Sequence, residues 1–104
     1  RAINLLEERH QALPLLLRSR AQAALGATPL ALELARQAAR LAPGDPEARL
    51  QLARLLVRDG ALAEANLEYL TLIAQVPEQH PRHEEVAAEL AALQEQLATQ
   101  GSAP

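Results

Sequence analysis

The chain has 104 residues, enough for one domain with a modest core and too few for two independent ones. Apolar residues make up 49% of it and aromatic residues 1%, so the core must be built almost wholly from Ala and Leu, strong helix formers whose abundance predicts an all-α fold. A formal charge of -3, with both signs mixed along the length, excludes the extended positive field that nucleic acid or an anionic membrane requires.

Taken in chain order, Ala2, Ile3, Leu5 and Leu6 read as the close of a helix that turns shortly before Pro14. Five further helices are expected near 14–25, 29–42, 46–59, 62–76 and 81–98. Gly26 and Gly60 follow apolar-periodic runs and suit the left-handed residue that closes a helix. Thr28 with Pro29, and Asp45 with Pro46, are start signals: an oxygen to accept an orphan N–H, then a residue whose missing N–H costs nothing there. Pro43 and Pro77 forbid continuation of the helices before them. The polar run 99–104 is expected to be a disordered tail. No stretch approaches the length of a membrane span, so no membrane insertion of this segment is expected.

Gly26 and Gly60 lie 34 residues apart, as do Ala31 and Ala65, and Pro43 and Pro77. Segments 12–45 and 46–79 are therefore expected to be two copies of one helix–turn–helix unit. Val86, Ala87 and Leu90 repeat Leu52, Ala53 and Leu56 at the same offset of 34, which makes 80–98 the first half of a third unit and a closing cap. Residues 1–11 are expected to end a preceding unit, within a longer array.

This pattern resembles the tetratricopeptide repeat family, whose unit is about 34 residues of paired antiparallel helices. In 46–79, Leu52, Ala53 and Leu56 match its Leu, small and large apolar sites, Ala65 and Tyr69 its Ala and aromatic sites, and Pro77 its Pro. Arg49 replaces its Trp and Leu72 one of its small residues. In 12–45, Leu15, Ser19, Ala31, Ala38 and Pro43 fit, while Arg18, Gln22 and Ala35 stand where bulkier apolar residues are usual. The resemblance implies an α-α superhelix of antiparallel helix pairs, and a scaffold that holds another protein in assembly, secretion or the cell envelope. Family members that read chaperone tails use a Lys and Asn clamp that is missing from the matching places.

The residues offer little chemistry. Without cysteine there is no disulfide, thiolate metal site or thiol nucleophile. Neither serine, Ser19 or Ser102, is placed near a His by sequence. His80, His83 and Glu84 have helix-like spacing, but Pro81 and Arg82 interrupt them, and a solvated turn is the better reading than a metal site. Tyr69 is expected to pack in the core. No enzyme activity, cofactor or metal is expected.

The expected partner is another protein, supplying a peptide or helix that carries a carboxylate and lies along the groove-facing residues Leu16, Arg20, Leu50, Arg54, Val57 and Ala88. Arg20 and Arg54 are themselves 34 apart and would project side by side toward that carboxylate, unless a local acid such as Glu47 already neutralises them. The alternative is a structural spacer or oligomerisation segment without a ligand of its own. The apolar set Val86, Leu90, Leu93 and Leu97 would serve either self-association through the last helix or the covering of the helix before it.

Overall fold

A computed structural model describes residues 2–101 of the chain. Its described residues form five helices and no strand: α1 (Ala2–Ala24), α2 (Thr28–Leu41), α3 (Pro46–Arg58), α4 (Leu62–Gln75) and α5 (His83–Gly101). Each helix packs on the next in chain order, and α1 also touches α3.

The turns follow from single residues. Gly26 closes α1 at φ +81° and Gly60 closes α3 at φ +85°, a region where any side chain would be strained. At the first turn the Gly26 N–H donates to the Ala23 carbonyl at 3.0 Å and the Ala27 N–H to Gln22 at 2.9 Å. At the second, Gly60 donates to Val57 at 3.0 Å and Ala61 to Leu56 at 2.9 Å, so both helices end in the same paired cap. Asp45 caps α3 by accepting the Glu47 N–H at 3.2 Å. Thr28 does not act as expected: α2 starts at Thr28 itself, with Ala27 in the capping place and no side-chain cap. The glycine turn delivers the chain to Ala27 already aligned with the new helix. Pro43 and Pro77 each stand two residues beyond a helix end, and Ala42 and Val76 before them have left the helical region.

Pro14 overturns one expectation. The helix predicted to break before it runs straight through, so residues 2–11 continue α1 and do not form a separate preceding helix. A proline inside a helix removes the bond to the carbonyl four residues back and costs about 3 kcal/mol. Ala12 and Leu16 on either side of it are buried in one cluster with Ala38, Ala42 and Ala48, so a single face of α1 stays covered across the proline and offsets part of that cost. At the other end α5 continues through 99–101, half of the predicted tail, and 102–104 lie outside the described residues.

The larger core cluster is centred on α3 and α4, where Leu56 and Leu72 are fully buried. Val86 and Leu93 of α5 belong to it, and Leu90 and Leu97 pack against it. The α5 stripe thus covers the preceding helices and is not left free for a second copy. Ser19, the one buried polar or charged residue among the described residues, donates to the Ala31 carbonyl at 2.7 Å and accepts from Gln51 Nε2 at 3.3 Å, joining α1, α2 and α3.

Candidate functional site

Residues of α1, α3 and α5 meet along one face through a chain of ion pairs. Arg20 of α1 lies 3.7 Å from Glu47 of α3. Arg82, at the foot of α5, grips Glu47 with two hydrogen bonds of 2.9 Å and reaches Glu85 at 2.8 Å. Glu85 also accepts from Arg54 Nη2 at 2.7 Å, and Arg54 holds Glu89 through both Nε and Nη2. The Tyr69 hydroxyl ends the chain by donating to Glu89 at 2.6 Å. Arginine's planar fork suits such bidentate links, and each of the three acids here receives at least two donors.

The pairing sets the charge states. Burial would raise the Glu89 carboxyl, but hydrogen bonds from Arg54 and Tyr69 outweigh it and hold the group below the ordinary carboxylate range. Burial, reinforced by the bond to Glu89, pushes the Tyr69 phenol well above its ordinary value. Hydrogen bonding to Glu89 raises the Arg54 guanidinium further, burial working against it. Arg54 is therefore a fixed cation whose carboxylates come from its own chain.

Two clefts flank this chain of charges. One, of about 510 Å³, lies where α1 passes the start of α3 and the α4–α5 connection, with Leu16 and Arg20 in its lining. The other, of about 260 Å³, lies between α3 and α5 and is lined by Arg54, Val57, Tyr69 and Leu93 among others. The structure therefore splits the expected groove residues. Leu16 with Arg20 faces one cleft and Arg54 with Val57 the other, Leu50 is buried at 3% exposure, and Ala88 is exposed on α5 beside neither cleft. Leu16 is also only 3% exposed and forms the floor of its cleft, not a projecting contact. Arg20 and Arg54 do not converge on a shared carboxylate, because they line different clefts, and only Arg54 is held there by hydrogen bonds to acids of its own chain.

Sequence reasoning missed Arg9, His10, His80 and Arg82 in the larger cleft. Arg82 carried a usable signal: it stands 35 residues after Glu47, and Glu89 stands 35 after Arg54, so opposite charges recur at one offset on neighbouring elements. Arg9 carried none, since its place depends on the unbroken α1.

Other candidates resolve into structure. Tyr69 is 2% exposed, so it packs as expected while its hydroxyl stays bonded. His80 Nδ1 accepts the Arg82 N–H at 3.0 Å, and His83 Nδ1 donates to the Val76 carbonyl at 2.9 Å. Both rings brace the α4–α5 connection. Among the described residues no three His, Cys, Asp or Glu side chains gather where they could hold a metal ion. Arg49 binds Glu68 at 2.8 Å and the Pro43 carbonyl at 3.2 Å, while its buried Nε finds no hydrogen-bond partner among the described residues. No described helix is long and apolar enough to cross a membrane. No family model matches the chain, and neither a curated protein nor a solved structure matches it.

Proposed function

We propose that the chain is a protein-binding scaffold: two 34-residue helical hairpins and a closing helix stacked as a tetratricopeptide-like superhelix, holding a peptide or helix of a partner along the face shared by α1, α3 and α5. The observation that carries this reading is the placement of two open clefts on that one face, separated by side chains that are already paired. A fixed polar strip between hollows of mixed apolar and charged lining is suited to positioning a partner's side chains without rearranging the scaffold. The recurrence of identical glycine caps 34 residues apart supports the stacking.

The spacer alternative draws on a different observation. Arg54 and Arg82 are saturated by Glu residues of the same chain, as expected of a face built for rigidity. Selection of displayed random peptides on the immobilised chain separates the two readings. A scaffold enriches a convergent sequence motif, and those peptides are captured by a photo-crosslinker placed at Leu13 or Ala92, which line the two clefts, but not by one at Leu70 on α4. Lack of enrichment over a scrambled control, or capture only at Leu70, removes the scaffold reading and leaves the spacer.

A further inference from the structure

The larger cleft has an unbalanced lining. Its two acids are already engaged: Asp45 caps α3 through the Glu47 N–H, and Glu47 is gripped by Arg82. Its other two arginines are not held in the same way. Arg9 approaches Asp45 only to 3.8 Å and Arg20 approaches Glu47 only to 3.7 Å, both beyond hydrogen-bond distance, and their side chains are 59% and 48% exposed. Such loose exposed pairs are worth little, so an incoming carboxylate need not break a strong bond to recruit either cation.

The spacing is specific. Arg9, Leu13, Leu16 and Arg20 follow one another at four, three and four residues along α1 and all line the cleft. Eleven residues make just over three helical turns, which puts the two arginines on one face about 16 Å apart along the axis, with the leucines between them. An extended peptide rises about 3.3 Å per residue and points successive side chains to opposite faces, so acids four residues apart share one face and span about 13 Å, which the long arginine and glutamate side chains close to the spacing of Arg9 and Arg20. A helix needs about nine residues to cover the same 13 Å, whereas an extended segment does so in four.

Building on the scaffold reading, we propose that this cleft binds an extended segment of a partner protein with two acidic side chains four residues apart and aliphatic residues between them. One carboxylate docks on Arg9 and the other on Arg20, while an intervening aliphatic side chain covers Leu13 above the buried Leu16. The saturated Arg54 takes no part, which moves carboxylate recognition from the middle of the face to its α1 end.

The probe is a fluorescent pool of peptides Glu-x-x-x-Glu, blocked at both ends, with x drawn from Ala, Val and Leu, titrated against the full chain by anisotropy. Saturable binding is expected. It should weaken at least tenfold when Arg9→Gln and Arg20→Gln are combined, and about equally when both peptide glutamates become Gln or stand only two residues apart. Arg40→Gln, on α2 outside the cleft, should leave it unchanged. The peptide changes test the same point from the ligand side, so the proposal does not depend on the double variant folding. Lack of saturation by 1 mM peptide, or binding indifferent to acid spacing or to the two arginines, overturns it. If the pool fails while displayed peptides still enrich and crosslink at Ala92, this inference falls and the scaffold reading stands; if both fail, the scaffold reading falls as well.

Discussion

The first hairpin, α1 with α2, and the second, α3 with α4, have nearly the same turns and very different interiors. Ala35, Ala38 and Ala42 are buried in the first, where Tyr69, Leu72 and Val76 are buried 34 residues later. Fully burying a Leu contributes roughly 1.5–3 kcal/mol and an Ala much less. The second hairpin therefore carries most of the apolar stabilisation, while the first relies on close contact through small side chains and on Ser19 stitching three helices. Local backbone geometry can be repeated at constant spacing while the packing energy is distributed very unevenly.

The sharpest way to break this contrast is to truncate equivalent sites. Leu72→Ala should cost about 2–5 kcal/mol, whereas Ala38→Gly should cost about 1 kcal/mol, mainly through helix propensity. Urea unfolding measures both, and equal losses would mean that the two interiors share the load. Enlarging a small site comes next. Ala53 is fully buried, so Ala53→Leu is expected to overpack α3 and cost about 1–3 kcal/mol by thermal melting. At the equivalent place in the first hairpin, Ser19→Ala loses a net hydrogen bond and should cost about 1 kcal/mol.

The turns should respond alike. Gly26→Ala and Gly60→Ala meet no atom within 4 Å, so the penalty is the left-handed backbone alone, about 1–2 kcal/mol in each case. A marked difference between the two would show that the caps are less alike than their hydrogen bonds.

The smallest effects concern pH and fall on the second hairpin and α5. Glu89 is depressed in the fold, so the stability it contributes is present above the unfolded carboxyl value of about 4.3 and is lost as pH falls through its folded value. Glu89→Gln should flatten the acid limb of a melting profile. Tyr69 is raised, so its contribution is complete below about pH 10, where the unfolded phenol titrates, and is lost as pH rises toward the folded value. As the sole tyrosine it can be followed by tyrosinate absorbance, which should appear together with unfolding and not before it.

Much of this backbone was legible in the sequence because glycine and proline act locally: Gly26, Gly60, Pro43 and Pro77 mark helix ends without help from the rest of the chain. Pro14 misled for the same reason. Its local preference for a break is outweighed by burial of Ala12 and Leu16 against α2 and α3, which no local pattern shows. Arg20 and Arg54 were recognised as a pair by spacing, and Glu47, named as an acid that could neutralise them, does lie beside Arg20; Glu85 and Glu89, which hold Arg54, were not recognised, because they come from another helix. The cleft at the α1 end could not be read at all until α1 was known to run past Pro14.

Packing of each helix on the next in chain order also governs how the chain reaches this state. Most contacts join residues close in sequence, and chains dominated by such local contacts fold in microseconds to milliseconds. With the large side chains concentrated in 46–75, the folding nucleus should form there, and α1 and α2 should dock afterwards. Leu72→Ala would then slow folding, while Ala38→Gly would chiefly hasten unfolding.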